Sequence, residues 1–142
     1  MTHTIPARPG FIRELDEERC LALIASATVG RVAFVGTTGQ QLLPVNFSLI
    51  DGTIYFQVAP DHVLAEMGTG LDDVAFGVEH RENMFQTAWS VVVSGSTSTV
   101  EDAELIERII NVQRLRPWAP GDRSLVVALT PRSISGRRVS QH

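Results

Sequence analysis

Between Gln41 and Met67 the spacing of apolar residues passes from a period of two to a helical one, and the rest of the chain can be placed around that stretch. Leu43, Val45, Phe47 and Leu49 fall on one face and Pro44, Asn46 and Ser48 on the other, the alternation of a half-buried strand. Ile54, Phe56 and Val58 repeat the pattern against Thr53, Tyr55, Gln57 and Ala59. Asp51-Gly52 supplies the positive φ angles of a two-residue turn, so the segment predicts a β-hairpin. The second strand stops at Ala59-Pro60. Asp61 then predicts an N-cap for a short helix with Val63, Leu64 and Met67 inward and Gly68 at its end. Unpaired N–H groups at such a start attract anions, so the junction reads either as a phosphate seat or as no more than a capped connector.

On the flanks, Met1 to Phe11 contains Pro6, Pro9 and Gly10 and predicts an irregular arm. A helix follows from Asp16 to about Thr28, with acids in its first turn and Leu21, Ile24 and Ala25 inward. Gly30–Val35 predicts a strand and Gly36–Gly39 the turn into the hairpin. Val74–Val78 predicts another strand, the polar run Glu79–Thr87 a loop, and Ala88–Val100 a long strand bent or bulged at Gly95. Asp102 caps a second helix of about a dozen residues, which Arg116–Gly121 (RPWAPG) breaks. Leu125–Leu129 and Ile134–Val139, separated by Pro131, are the last strands. About seven short strands with Gly-rich turns predict a mainly β fold with inserted helices, a small barrel or closed sheet rather than a doubly wound parallel one. The length of 142 residues suits one core, hence a single domain.

Composition narrows the chemistry. A net charge of −4 argues against a general nucleic-acid binder. All 12 basic residues are Arg, which suits bidentate phosphate or carboxylate contacts and excludes Schiff-base catalysis on lysine. Cys20 has no partner for an intrachain disulfide, so a reducing cytoplasm is expected, and its place on a helix flank reads as a small buried hydrophobe. No signal peptide and no apolar run of about 18 residues indicates export or membrane spanning. Gly-rich nucleotide loops, His or Cys metal spacings and a Ser nucleophile elbow are missing, and His62 and His80 read as surface or hydrogen-bonded histidines. What remains is a set of planar or polar residues at strand ends and corners: Arg31, Asn46, Gln57, Trp89, Ser90 and Trp118. A flat aromatic ligand with a phosphate tail needs apolar walls, a few amide-type hydrogen bonds and an Arg or helix start, which this set offers. Trp89 and Trp118 read equally as core anchors.

The succession GRVAFV, LLPVNFSLIDGTIYFQVAPDH, VAFGVEH, TAWSVVVSG, RPWAPG and ISGRRV, covering roughly Leu15 to Val139, resembles the pyridoxamine 5'-phosphate oxidase-like flavoproteins, the FMN-binding split-barrel family. The resemblance implies a split β-barrel of six or seven mostly antiparallel strands that forms a homodimer, with FMN in a cleft between the subunits. It implies that Pro44, Val45 and Asn46 lie along the isoalloxazine ring, that Gln57, Ala59 and His62 line the ribityl-phosphate end, and that Arg31 approaches the same charge. Trp89, Ser90 and Trp118 would come from the facing subunit or the cleft wall. This chain has Asp61-His62-Val63 where relatives often read Gly-Ser-Lys, and Gln86 where they often carry arginine. Two lost contacts of about 1.5–3 kcal/mol each weaken FMN binding by some two to four powers of ten unless other groups compensate, His62 being the candidate.

The leading expectation is therefore an FMN-dependent oxidoreductase acting on a small molecule, with no protein nucleophile required. The alternatives are a deazaflavin coenzyme in the same fold, whose acidic tail would favour a basic groove, and a non-catalytic flavin- or heme-binding or degenerate module.

Overall fold

In a computed structural model that describes residues 10–113 and 125–140, the apolar alternation closes on itself as a barrel. The elements are β1 (Phe11–Leu15), α1 (Glu17–Ala25), β2 (Val29–Gly36), β3 (Gly39–Ile50), β4 (Thr53–Val58), a 3-10 helix (Val63–Thr69), β5 (Val74–Glu82), β6 (Thr87–Thr99), α2 (Ala103–Gln113) and β7 (Leu125–Ser140). All strand pairs are antiparallel, in the order β1-β7-β4-β3-β2-β5-β6, and a further β6–β7 ladder closes the ring. The split arises within β3: residues 39–46 pair with β2, whereas Phe47–Ile50 pair with β4. The expected mainly β split barrel of six or seven mostly antiparallel strands is the fold observed, with seven strands.

Residues at every second position point inward, among them Val32, Phe34, Val45, Phe47, Ile54, Phe56, Phe76, Val78, Val91, Val93, Val127 and Leu129. Phe47 stands edge-on to Phe76 at 4.8 Å and Phe56 tilts against it at 5.5 Å, an arrangement aromatic rings favour. α1 closes one mouth with Cys20 and Ile24. The 3-10 helix closes the other with Leu64 and Met67, held by Thr97, whose Oγ1 donates to the Met67 carbonyl at 2.6 Å. α2, capped by Asp102, covers part of the outside over Ile50, Tyr55, Val126 and Ala128. Cys20 is fully buried and its thiol is pushed up, first by burial and then by the Asp16 and Glu17 carboxylates, so it packs rather than attacks.

Several local expectations change. The helix after β4 is a 3-10 helix and its cap is His62, not Asp61: the His62 Nδ1 accepts from the Leu64 N–H at 3.2 Å. It ends at Gly70 in the left-handed region rather than at Gly68. The polar run Glu79–Glu82 continues β5, the two last strands are one strand of 16 residues, and Phe11, assigned to the arm, opens β1. The rest of that arm and the RPWAPG segment with Trp118 lie outside the described residues.

Pro131 fits within β7 because it lies opposite Gly95 at the bulge between Ser94 and Gly95, where the ladder shifts register. A Cβ on Gly95 would stand inside contact distance of the Thr130 carbonyl and 3.1 Å from the Pro131 Cα, both backbone atoms that cannot swing away. Gly95→Ala is therefore expected to part the two closing strands. The expected cost is about 2–4 kcal/mol, read as a lower thermal midpoint at unchanged buffer.

Candidate functional site

The outer surface of the barrel is half covered. Beneath α2 it is packed, but over β2, the first half of β3, β5 and β6 no described element covers it. The register fixes what lies there. One rung runs Pro44, Arg31, Gly77, Val92, and the next runs Leu42, Ala33, Ala75, Ser94. Neighbours on the same side are Val29, Val35, Glu79 and Ser90. Bare sheet would expose a polar face, yet Val35 is 67% exposed, Leu42 65%, Val29 53% and Val92 46%. Apolar surface so concentrated marks a face built to be covered.

A groove of about 480 Å³ runs across this face between Arg31 and Pro44 on one side and Ser90 and Val92 on the other, with Glu79 at its edge. Its floor is Gly77. The nearest atom to a Cβ built there is the Val91 carbonyl oxygen at 3.7 Å, so the glycine leaves an open trough rather than relieving a clash. Gly30, its neighbour in the wall, is different: a Cβ there would press into the Phe76 ring at 2.6 Å. A second hollow of about 640 Å³ continues the face past Ala33 and Ala75 to Gln40, Gln41 and Arg132. There Arg132 is held by Asp73 at 3.0 Å and donates to the Asp72 carbonyl at 3.1 Å.

Of the residues expected to bind a cofactor, the groove gathers Arg31, Pro44 and Ser90. Asn46 lies opposite Val29 on the same side, one step along β3. Val45 points into the core between them and offers only its backbone. Gln57 sits on β4 opposite Val126, and Ala59 and His62 follow at the exposed corner beyond that strand. Trp89 is not brought to the groove: adjacent to Ser90 in β6, it faces the other side and packs against the core. Gly77, Val92, Val29 and Glu79 were not singled out from sequence. The signal for Gly77 was available, since VAFGV places a glycine on the face opposite Val74, Phe76 and Val78.

The His62 cap bears on the anion seat. A nitrogen that accepts from the Leu64 N–H carries a lone pair, so the proton of a neutral ring is on Nε2. The Nε2–H of that tautomer can donate to an anion at the corner while Nδ1 keeps the cap. Among the described residues no group of three or more His, Cys, Asp or Glu can hold a metal ion. No described helix is long and apolar enough to cross a membrane.

Known proteins place the chain. The family model for pyridoxamine 5'-phosphate oxidase matches residues 16–138. The uncharacterized protein Rv0080 of Mycobacterium tuberculosis is 29% identical over 133 residues, 89% of this chain and 84% of that protein. The structure of the FAD binding protein from Mycobacterium smegmatis superposes with a TM-score of 0.76 at 25% identity, covering 90% of this chain and 98% of that one. A FAD-binding protein from Mesorhizobium loti shares the fold at a TM-score of 0.79 and 19% identity, over 93% and 99% of the two chains.

Proposed function

Because the chain belongs to the pyridoxamine 5'-phosphate oxidase family, we propose that it binds FMN and acts as a flavin-dependent oxidoreductase on a small molecule, as a homodimer with the cofactor between its subunits. The observation that carries this reading is the side-chain-free floor at Gly77, in a groove lined by a guanidinium, a hydroxyl and apolar side chains with Glu79 at its edge. A planar ring can lie on such a floor with Pro44 and Val92 against its flanks. Arg31 then donates to an anionic or carbonyl edge, Ser90 supplies a reversible donor, and Asn46 an amide within the same face. The phosphate takes Arg31 or the Nε2–H of His62, whose Nδ1 keeps its cap in either case.

Bound flavin supplies two-electron chemistry of its own. The chain's part is to hold the ring flat, to donate to its polar edge and, once a second copy covers the groove, to keep water out. Glu79 at the rim holds a carboxylate beside the open end, where it orients a cationic or hydroxyl-bearing substrate. FAD is a second reading, because the hollow beyond Ala33 and Ala75 continues the groove by enough volume for a nucleotide half.

Purified protein is expected to be yellow, and denaturation to release close to one flavin per chain, whose mass separates FMN from FAD. A colourless protein whose fluorescence ignores added FMN and FAD would sink the assignment.

The homodimer makes its own prediction. Covering Leu42, Val35, Val29 and Val92 on both copies removes exposed apolar side chains worth about 1.5–3 kcal/mol each when fully buried. Leu42→Asp places a charge in the middle of that contact. Sedimentation is expected to show twice the chain mass for the parent and a monomer for the variant, with the circular dichroism of the barrel retained.

A further inference from the structure

Past the mouth closed by α1, strands β1, β7, β6 and β5 extend as an arm, and its two faces carry charge differently. On the outer face Glu14 stands opposite Arg137, an opposite-sign pair. One rung away, on the inner face, Arg13 stands opposite Arg138, and Arg138 in turn opposite Trp89 and Trp89 opposite His80. The face is certain from its next rung, where Leu15 packs on the core and Gly136 lies against the Cys20 sulfur. Directly opposed side chains have their Cβ atoms about 4.5–5.5 Å apart, and like charges so placed destabilise the pair. No hydrogen bond or ion pair among the described residues occupies either guanidinium. The acid that shares their face, Glu82, is taken by His80 at 2.8 Å. Beside them the exposed His80 ring and the half-buried Trp89 ring lie 5.8 Å apart, 34° from parallel.

We infer that Arg13 and Arg138 form an oxyanion site, distinct from the flavin groove, for the phosphate or carboxylate of a small organic anion whose apolar part lies along Trp89. An oxyanion between two guanidiniums turns a repulsive rung into two charge-assisted contacts, and the planar forks of arginine suit both phosphate and carboxylate. Trp89 and Ser90 are adjacent in β6 and face opposite ways, so the two sites lie back to back across one sheet. The inference does not depend on the flavin reading.

The test follows thermal unfolding of the full chain in chloride and in inorganic phosphate, at matched ionic strength and pH, with citrate as the carboxylate arm. The parent midpoint is expected to rise saturably with phosphate or citrate. Arg13→Gln and Arg138→Gln are each expected to start above the parent in chloride, because the repulsion is gone, and to lose at least half of the anion-dependent rise. Arg108→Gln, on α2 and away from both sites, is expected to keep it. The proposal is overturned if the rise is unsaturable or equal in all four proteins. It is likewise overturned if Arg108→Gln loses the rise as far as the arm variants do, or if both arm variants start below the parent in chloride.

Discussion

Replacing Phe76 by alanine is expected to lower stability by about 3–5 kcal/mol, the range for emptying an aromatic site in a packed core. Phe76 is 1% exposed and is the ring that both Phe47 and Phe56 lean on, so its loss leaves two aromatic neighbours without their shared partner. The wall cannot collapse easily to fill the space. Phe76 sits on β5 opposite Val32 of β2, and both strands are held on two sides by ladders. The effect should also reach the groove, because the Phe76 ring supports Gly30 from inside while the flanking Gly77 forms the floor outside. Urea unfolding is the direct check: a lower midpoint at an unchanged slope indicates lost stability rather than a changed unfolded state. A loss under 1 kcal/mol would mean that the barrel interior is not packed around this ring.

Gly77→Leu is expected to weaken flavin binding by about 100-fold or more, close to 2.7 kcal/mol, while leaving the barrel intact. A branched side chain rising from the floor occupies the space a planar ring needs, yet its Cβ has room, with its nearest contact at an ordinary 3.7 Å. Replacing glycine within a strand also removes some unfolded-state entropy, so the free protein should not lose stability. Gly77→Ala should fall between parent and leucine variant. Fluorescence titration with FMN, alongside a melting curve for each variant, separates a blocked groove from a damaged fold. Unchanged affinity in the leucine variant would place the flavin elsewhere.

Where one face of a strand met the core and the other did not, the sequence announced the strand. The hairpin through Asp51-Gly52 is the clearest instance: Phe47 pairs with Phe56 and Ile50 with Thr53, as the alternation requires. Two of the differences share one cause. The polar run Glu79–Thr87 reads as a loop because beyond the barrel mouth its side chains are exposed and no apolar period survives, although Glu79–Glu82 still pairs with residues 87–90. β1 is hidden for the same reason, four of its five residues being exposed. Pro131 reads as a strand break because the register shift that accommodates it, Ser94 opposite Ser133 and Gly95 opposite Pro131 with Arg132 as the extra residue, exists only once β7 is paired with β6.

The site was legible to a similar depth. Arg31, Pro44 and Ser90, candidates from the sequence, share a groove, whereas Trp89, beside Ser90 in β6, faces the opposite side of the sheet. Strict alternation sets the two apart without any structure. Gly77 is the least legible of the groove residues, because a floor is made by an absent side chain that carries neither donor nor ring.

β7 has a consequence for how the molecule is made. It pairs with β1, β4 and β6, so three strands made earlier await it. During translation the nascent chain therefore carries open edges on β4 and β6, each able to recruit a foreign strand, until β7 leaves the ribosome. Closure is a late, long-range event, and a ribosome stalled before Leu125 would hold an aggregation-prone open sheet rather than a smaller stable protein.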